Sequence, residues 1–111
     1  MSQPIERSEA IEFFEALRRR ESPLVFWSWD TSNGEQRLLK GYVSSVNNTL
    51  LDIEDDQNEM TFVLIAGVEF VRLDRDEAPH QIMAIADDSF DIVLGFAAGK
   101  YACCVMAKDP K

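Results

Sequence analysis

Gly41–Ile53 reads GYVSSVNNTLLDI, and the reading of this stretch decides the fold. It completes one strand, Arg37–Val46, turns at Asn47-Asn48, and opens another strand at Leu50–Glu54. Asparagine favours such turns because its short amide bonds to its own backbone. Gly41 interrupts the first strand from within. A glycine there marks a sharp bend or a close approach of another backbone. A short sheet needs such bends to curl tightly.

Working outward, Leu24–Asp30 (LVFWSWD) alternates at the period of a strand and puts Val25, Trp27 and Trp29 on one face. Tryptophans so placed read as barrel core. Thr31–Gly34 is a turn. On the other side, Asp55–Asn58 is a turn and Met60–Ala66 (MTFVLIA) is a strand apolar on both faces, which predicts burial on both. Gly67 breaks it, and Val68–Leu73 (VEFVRL) follows as a fifth strand.

Before the strands, Pro4–Arg20 reads as a helix. Ile11, Phe14 and Leu17 recur at helical spacing and Phe13 widens the apolar stripe. Ser8 or Gln3 is suited to start it, with Pro4 in the first turn. Glu9 and Glu12 near its beginning and Arg18, Arg19 and Arg20 at its end complement the helix dipole. After the fifth strand, Asp74–Pro79 reads as a charged linker, and His80–Ala86 as a strand or short helix. Phe90–Phe96 and Lys100–Met106 form a hairpin turning at Ala97–Gly99.

Two stretches in this order resemble the Sm-like family of small β-barrels, which includes the Sm and LSm proteins and bacterial Hfq. The first is GYVSSVNNTLLDI. The family has a glycine in its bent second strand, an acid six residues later, then a base-stacking side chain and often an asparagine. Asn47, Thr49 and Leu50 stand at those places. The second is Ile65–Val71 (IAGVEFV), which resembles the family's Ile-Arg-Gly segment with Ala66 for the arginine.

The resemblance implies a mainly β fold: an N-terminal helix and a five-stranded, strongly bent antiparallel barrel over residues 1–74. Residues 75–111 would then be an extension with a β-hairpin, packing on the barrel or on a neighbouring subunit. It also implies a homo-oligomeric ring, since in such rings the fourth strand of one subunit pairs with the fifth of its neighbour. Met60, Phe62, Leu64, Val68 and Phe70 are the interface candidates. The family's base pocket is altered here at Asn47, Thr49, Leu50 and Ala66. Thr49 cannot stack, Leu50 cannot hydrogen-bond and Ala66 carries no charge. RNA binding would therefore fall to Arg18, Arg19 and Arg20, with Lys40 and Tyr42 in support.

Charge bears on that role. Twenty acids against 11 bases give a formal net charge of −9. A field of that sign repels phosphate backbones over most of the surface. It weighs against RNA and more strongly against DNA, and it favours the alternative of a protein-interaction scaffold that kept the barrel and lost the RNA pocket.

No catalytic constellation stands out. His80 has no nucleophile or acid beside it, Ser44 and Ser45 lack a nucleophile elbow, and Gly95, Gly99 and Lys100 lack phosphate-loop spacing. Cys103 and Cys104 are adjacent, so in a strand they point to opposite faces and do not bridge. They read as small apolar residues of a reducing compartment. The acids Asp52, Glu54, Asp55, Asp56 and Glu59, and Asp87, Asp88 and Asp91, read as solvated loops without calcium-site spacing. The expectation is a non-catalytic cytoplasmic protein without metal, cofactor or membrane segment.

Overall fold

The computed structural model describes residues 2–55, 57 and 60–110. The acids Asp56 and Glu59, and half of the Asp55–Asn58 turn, lie outside the described residues.

Gly41 is the pivot of the sheet. Strand β3 (Gln36–Val46) pairs with β2 (Leu24–Asp30) along its first half, Gln36 to Gly41. Along its second half, Gly41 to Val46, it pairs with β4 (Leu50–Asp55). The two halves turn against each other where Gly41 faces both Leu24 and Asp55. A Cβ at that position would lie 2.0 Å from the Glu54 carbonyl oxygen, so the backbones approach as only glycine permits. A bulge between Val43 and Ser45 adds curvature.

The remaining strands are β1 (Gln3–Ile5), β5 (Met60–Leu64), β6 (Phe70–Leu73), β7 (Ile92–Ala98) and β8 (Tyr101–Ala107). All pairings are antiparallel, in the order β1-β6-β7-β8-β2-β3-β4-β5. Among the described residues the expected closed five-stranded barrel is thus an open, curled sheet of eight strands, with β1 and β5 as its edges. The neighbour of β2 is β8, not the fifth strand. Residues 92–107 therefore sit in the middle of the sheet and are buried on both faces for most of their length. Their hairpin turns at Gly99-Lys100, one step beyond the expected place, because Gly99 takes the positive φ (61°) that a two-residue loop demands.

Helix α1 spans Arg7–Arg19 and lies in the concavity. Ala10, Phe14 and Leu17 are fully buried, spaced to share one face. Pro4 does not begin it. Gln3–Ile5 instead forms an edge strand on β6, a place that tolerates a proline lacking its N–H. The N-cap is Glu6, with no side-chain cap bond, rather than Gln3 or Ser8. The helix ends in a Schellman motif: Ser22 N–H donates to the Leu17 carbonyl and Glu21 N–H to that of Arg18. Glu21 takes the left-handed φ of 51° usually given to glycine there.

Two cores result. The inner one joins α1 to both halves of the sheet through Phe26, Leu51, Ile53, Ile65, Phe70 and Val105. The outer one lies under a cover made by residues 78–90, including the short helix α2 (His80–Met83), where Ile82 and Phe90 pack on Val25, Val93, Cys104 and Met106. Residues 74–79 hold a single 3-10 turn at Arg75–Glu77.

Candidate functional site

Strand β5 departs most from expectation. Its apolar sequence predicts burial on both faces, but only Thr61 and Val63 turn inward. Met60, Phe62 and Leu64 are exposed by 46%, 65% and 60%. Being the edge of the sheet, β5 has one covered face and one unpaired row of backbone groups. Leu50, across from Leu64 on β4, extends the apolar row. Asp52 stands across from Phe62; one of its carboxylate oxygens accepts from Ser45 Oγ at 2.6 Å, and the other is buried without a partner.

The other two interface candidates fare differently. Val68 is half-buried against the inner core. Phe70 is fully enclosed, its ring centroid 6.2 Å from Phe14 and 5.0 Å from Phe96. It is core, not interface. Both edges of β6 are already paired, one by β1 and one by β7.

The four altered pocket positions do come together. The Ile65 N–H donates to the Thr49 carbonyl at 2.7 Å, which joins the β3–β4 turn to the β5–β6 connection. Asn47 spends its side-chain oxygen on its own turn, accepting from the amides of Thr49 (2.7 Å) and Leu50 (2.8 Å). Ala66 is exposed between the buried Ile65 and the exposed Gly67, at the bend that follows β5. A residue that the sequence reading missed braces this corner. Arg7, the first residue of α1, donates to the carbonyls of Asn48, Ile65 and Val68, the last at 3.3 Å. Its guanidinium points at backbone, and only the tertiary fold reveals that use.

The basic candidates do not form one surface. Arg18 pairs with Glu15 on the same helix, which raises the affinity of the arginine for its proton and lowers that of the glutamate. Arg19 and Arg20 are exposed at the helix end on the concave side. Lys40 and Tyr42 face out from the convex side of β3, with Lys40 5.9 Å from the Phe90 ring centre. The two tryptophans are not core either. Trp29 is 41% exposed, and Trp27 is half-buried with its indole N–H donating to Gln36 Oε1 at 3.2 Å.

Inside the curl, the gap between the first half of β3 and β5 opens into a cleft of about 870 Å³. Phe26, Val63, Val68 and Cys103 give it an apolar floor. Asp30, 5% exposed, lies at its rim with Lys100 Nζ 3.2 Å away. Ser32 donates to Asp30 from its hydroxyl (2.6 Å) and its amide (2.9 Å). The Ser32 hydroxyl first, and Lys100 with it, hold the Asp30 carboxyl below its ordinary range. Burial pushes both thiols, Cys103 and Cys104, up to about 12, so each stays protonated at neutral pH. The cleft therefore offers no thiolate nucleophile. Native protein at pH 8 is expected to resist iodoacetamide over hours and to take up two equivalents after unfolding, read by intact mass. Rapid native labelling would contradict this packing.

Comparison with protein-family models, curated proteins and solved structures gives no match. The acidic groups have local work instead. Asp55 caps the amide of Gln57, and Asp87 accepts from the amide and hydroxyl of Ser89. Asp74, Asp76 and Glu77 converge on the surface, where Asp74 and Glu77 form the capping box of the 3-10 turn. No helix among the described residues is long and apolar enough to cross a membrane.

Proposed function

We propose that this chain is a non-catalytic assembly module that self-associates along β5. One observation carries the reading: an unpaired sheet edge bearing Met60, Phe62 and Leu64 outward. Such an edge is a template for another strand unless charge, proline or a covering loop blunts it. On β5 itself no such residue is present. The resemblance to Sm-like rings supports the same edge, since β5 is the fourth strand of that resemblance. The partner strand differs, because β6 is flanked on both sides. It is the outer edge of β1 in a head-to-tail ring, or a second β5 across a two-fold axis. The dispersed basic residues and the charge of −9 favour this scaffold reading over an RNA-binding one.

Light scattering tests it. The wild-type protein is expected at a multiple of 12.6 kDa that is unchanged by a uridine-rich oligonucleotide. Phe62→Asp is expected at the monomer mass with an unchanged circular dichroism spectrum, because the side chain it replaces is exposed. A monomeric wild type across the micromolar range would overturn the proposal. Growth of the mass with RNA would restore the RNA-binding reading.

A further inference from the structure

The two edges of the sheet are unequal as templates. Strand β1 offers three residues, Gln3–Ile5, and Pro4 at its centre has no N–H to give. A short edge interrupted by proline is a poor site for a further strand. Strand β5 offers five, MTFVL, with no proline and no charge. Thr61, Phe62, Val63 and Leu64 border the cleft of about 870 Å³, so this edge has open space beside it. The exposed row Met60, Phe62 and Leu64 also reads nearly the same in both directions, with an aromatic ring between two aliphatic chains of similar length.

We propose that the partner of β5 is β5 of a second copy, paired antiparallel about a two-fold axis through Phe62. The inference rests on the assembly reading and gives it a partner and a register. Opposed residues of an antiparallel pair point to the same face, so such an axis passes through a residue and not between two. Only the middle residue, Phe62, lets all five residues of β5 pair. Phe62 then stands across from the partner's Phe62, and Met60 across from the partner's Leu64. Ring on ring and aliphatic on aliphatic are favourable cross-strand pairs. Net charge does not oppose the contact. Asp52, across from Phe62 on β4, would stand three strand spacings from the partner's Asp52, about 14 Å, beyond the screening length of about 8 Å at physiological salt. A two-fold contact uses the same patch on both copies, so the assembly closes at two chains with no β5 edge left over.

Disulfide cross-linking of the full chain under mild oxidation tests the register, with light scattering beside it. All the replaced side chains are exposed, and the native Cys103 and Cys104 are buried out of reach of a second chain. In Phe62→Cys the two new thiols face each other, with Cα atoms about 4.5–5.5 Å apart, inside the disulfide range. It is expected to form covalent dimers at least about tenfold faster than Met60→Cys or Leu64→Cys alone, whose own copies lie about 14 Å apart. Met60→Cys and Leu64→Cys combined in one chain are expected to restore the fast reaction, since each then faces the other type. The wild-type mass is expected at twice 12.6 kDa. Equal rates for the three single variants, or a slow combined variant, would overturn the register. A wild type of three chains or more, with Phe62→Cys slow, would overturn the two-fold pairing and leave a head-to-tail assembly through β5 standing. A monomeric wild type would overturn this inference together with the assembly reading.

Discussion

Gly41→Ala is expected to unfold the protein or to destabilise it by about 3 kcal/mol or more. The new methyl group would sit 2.0 Å from the Glu54 carbonyl oxygen and 2.8 Å from the Asp55 Cα. Both obstacles are backbone of the strand that β3 must pair with, so no rotamer change relieves the clash. Relief requires β4 to withdraw. That would open the pairs Gly41–Asp55 and Tyr42–Glu54 and flatten the bend that lets the two half-sheets share one core. Since a domain of this size is stable by about 5–15 kcal/mol, the loss is a large share of the total. Gly95→Ala is the control. Its methyl group would meet the tip of Leu73 at 3.1 Å, a flexible side chain that can move. Chemical denaturation of both variants decides the matter. If Gly41→Ala were as stable as Gly95→Ala, the bend would not depend on the close approach.

Gly41 also shows what is readable from sequence. A glycine amid alternating apolar residues announces a bend before any partner strand is known, and the strands around it follow from local alternation. Leu24–Asp30 is a strand with the bounds that its pattern implies, and the β3, β4 and β5 ranges agree to within two residues at each end. Alternation is silent about partners. Nothing local in Tyr101–Ala107 says that it lies beside β2, 71 positions earlier at the Asp30–Tyr101 pair, and nothing in Gln3–Ile5 says that it lies on β6. The misreading of β5 has the same origin. MTFVLIA is apolar at nearly every position, which suits a strand buried on both faces; only the sheet order makes it an edge with one face uncovered. At the candidate sites, the residue types were legible and the geometry was not. A threonine in a strand is ordinary; the unpartnered hydroxyl of Thr61 exists only in three dimensions.

Phe14→Ala is expected to cost about 3–5 kcal/mol, measured by guanidinium denaturation. In a ring of the Sm-like kind the N-terminal helix lies on one ring face. Here the helix fills the concavity of an open sheet. Phe14 is fully buried, edge-on to Phe13 at 5.6 Å and to Phe70 at 6.2 Å, and Phe70 continues to Phe96 at 5.0 Å. The ring thus ties α1 to β6 and β7, while Ala10 and Leu17 bind the same helix to the remaining core. Removing it leaves a cavity at the junction of three elements, where rigid strands on two sides limit collapse. Phe14→Leu, which retains most of the volume, is expected to lose less than about 1.5 kcal/mol. A loss below about 0.5 kcal/mol for Phe14→Ala would mean that the helix is peripheral.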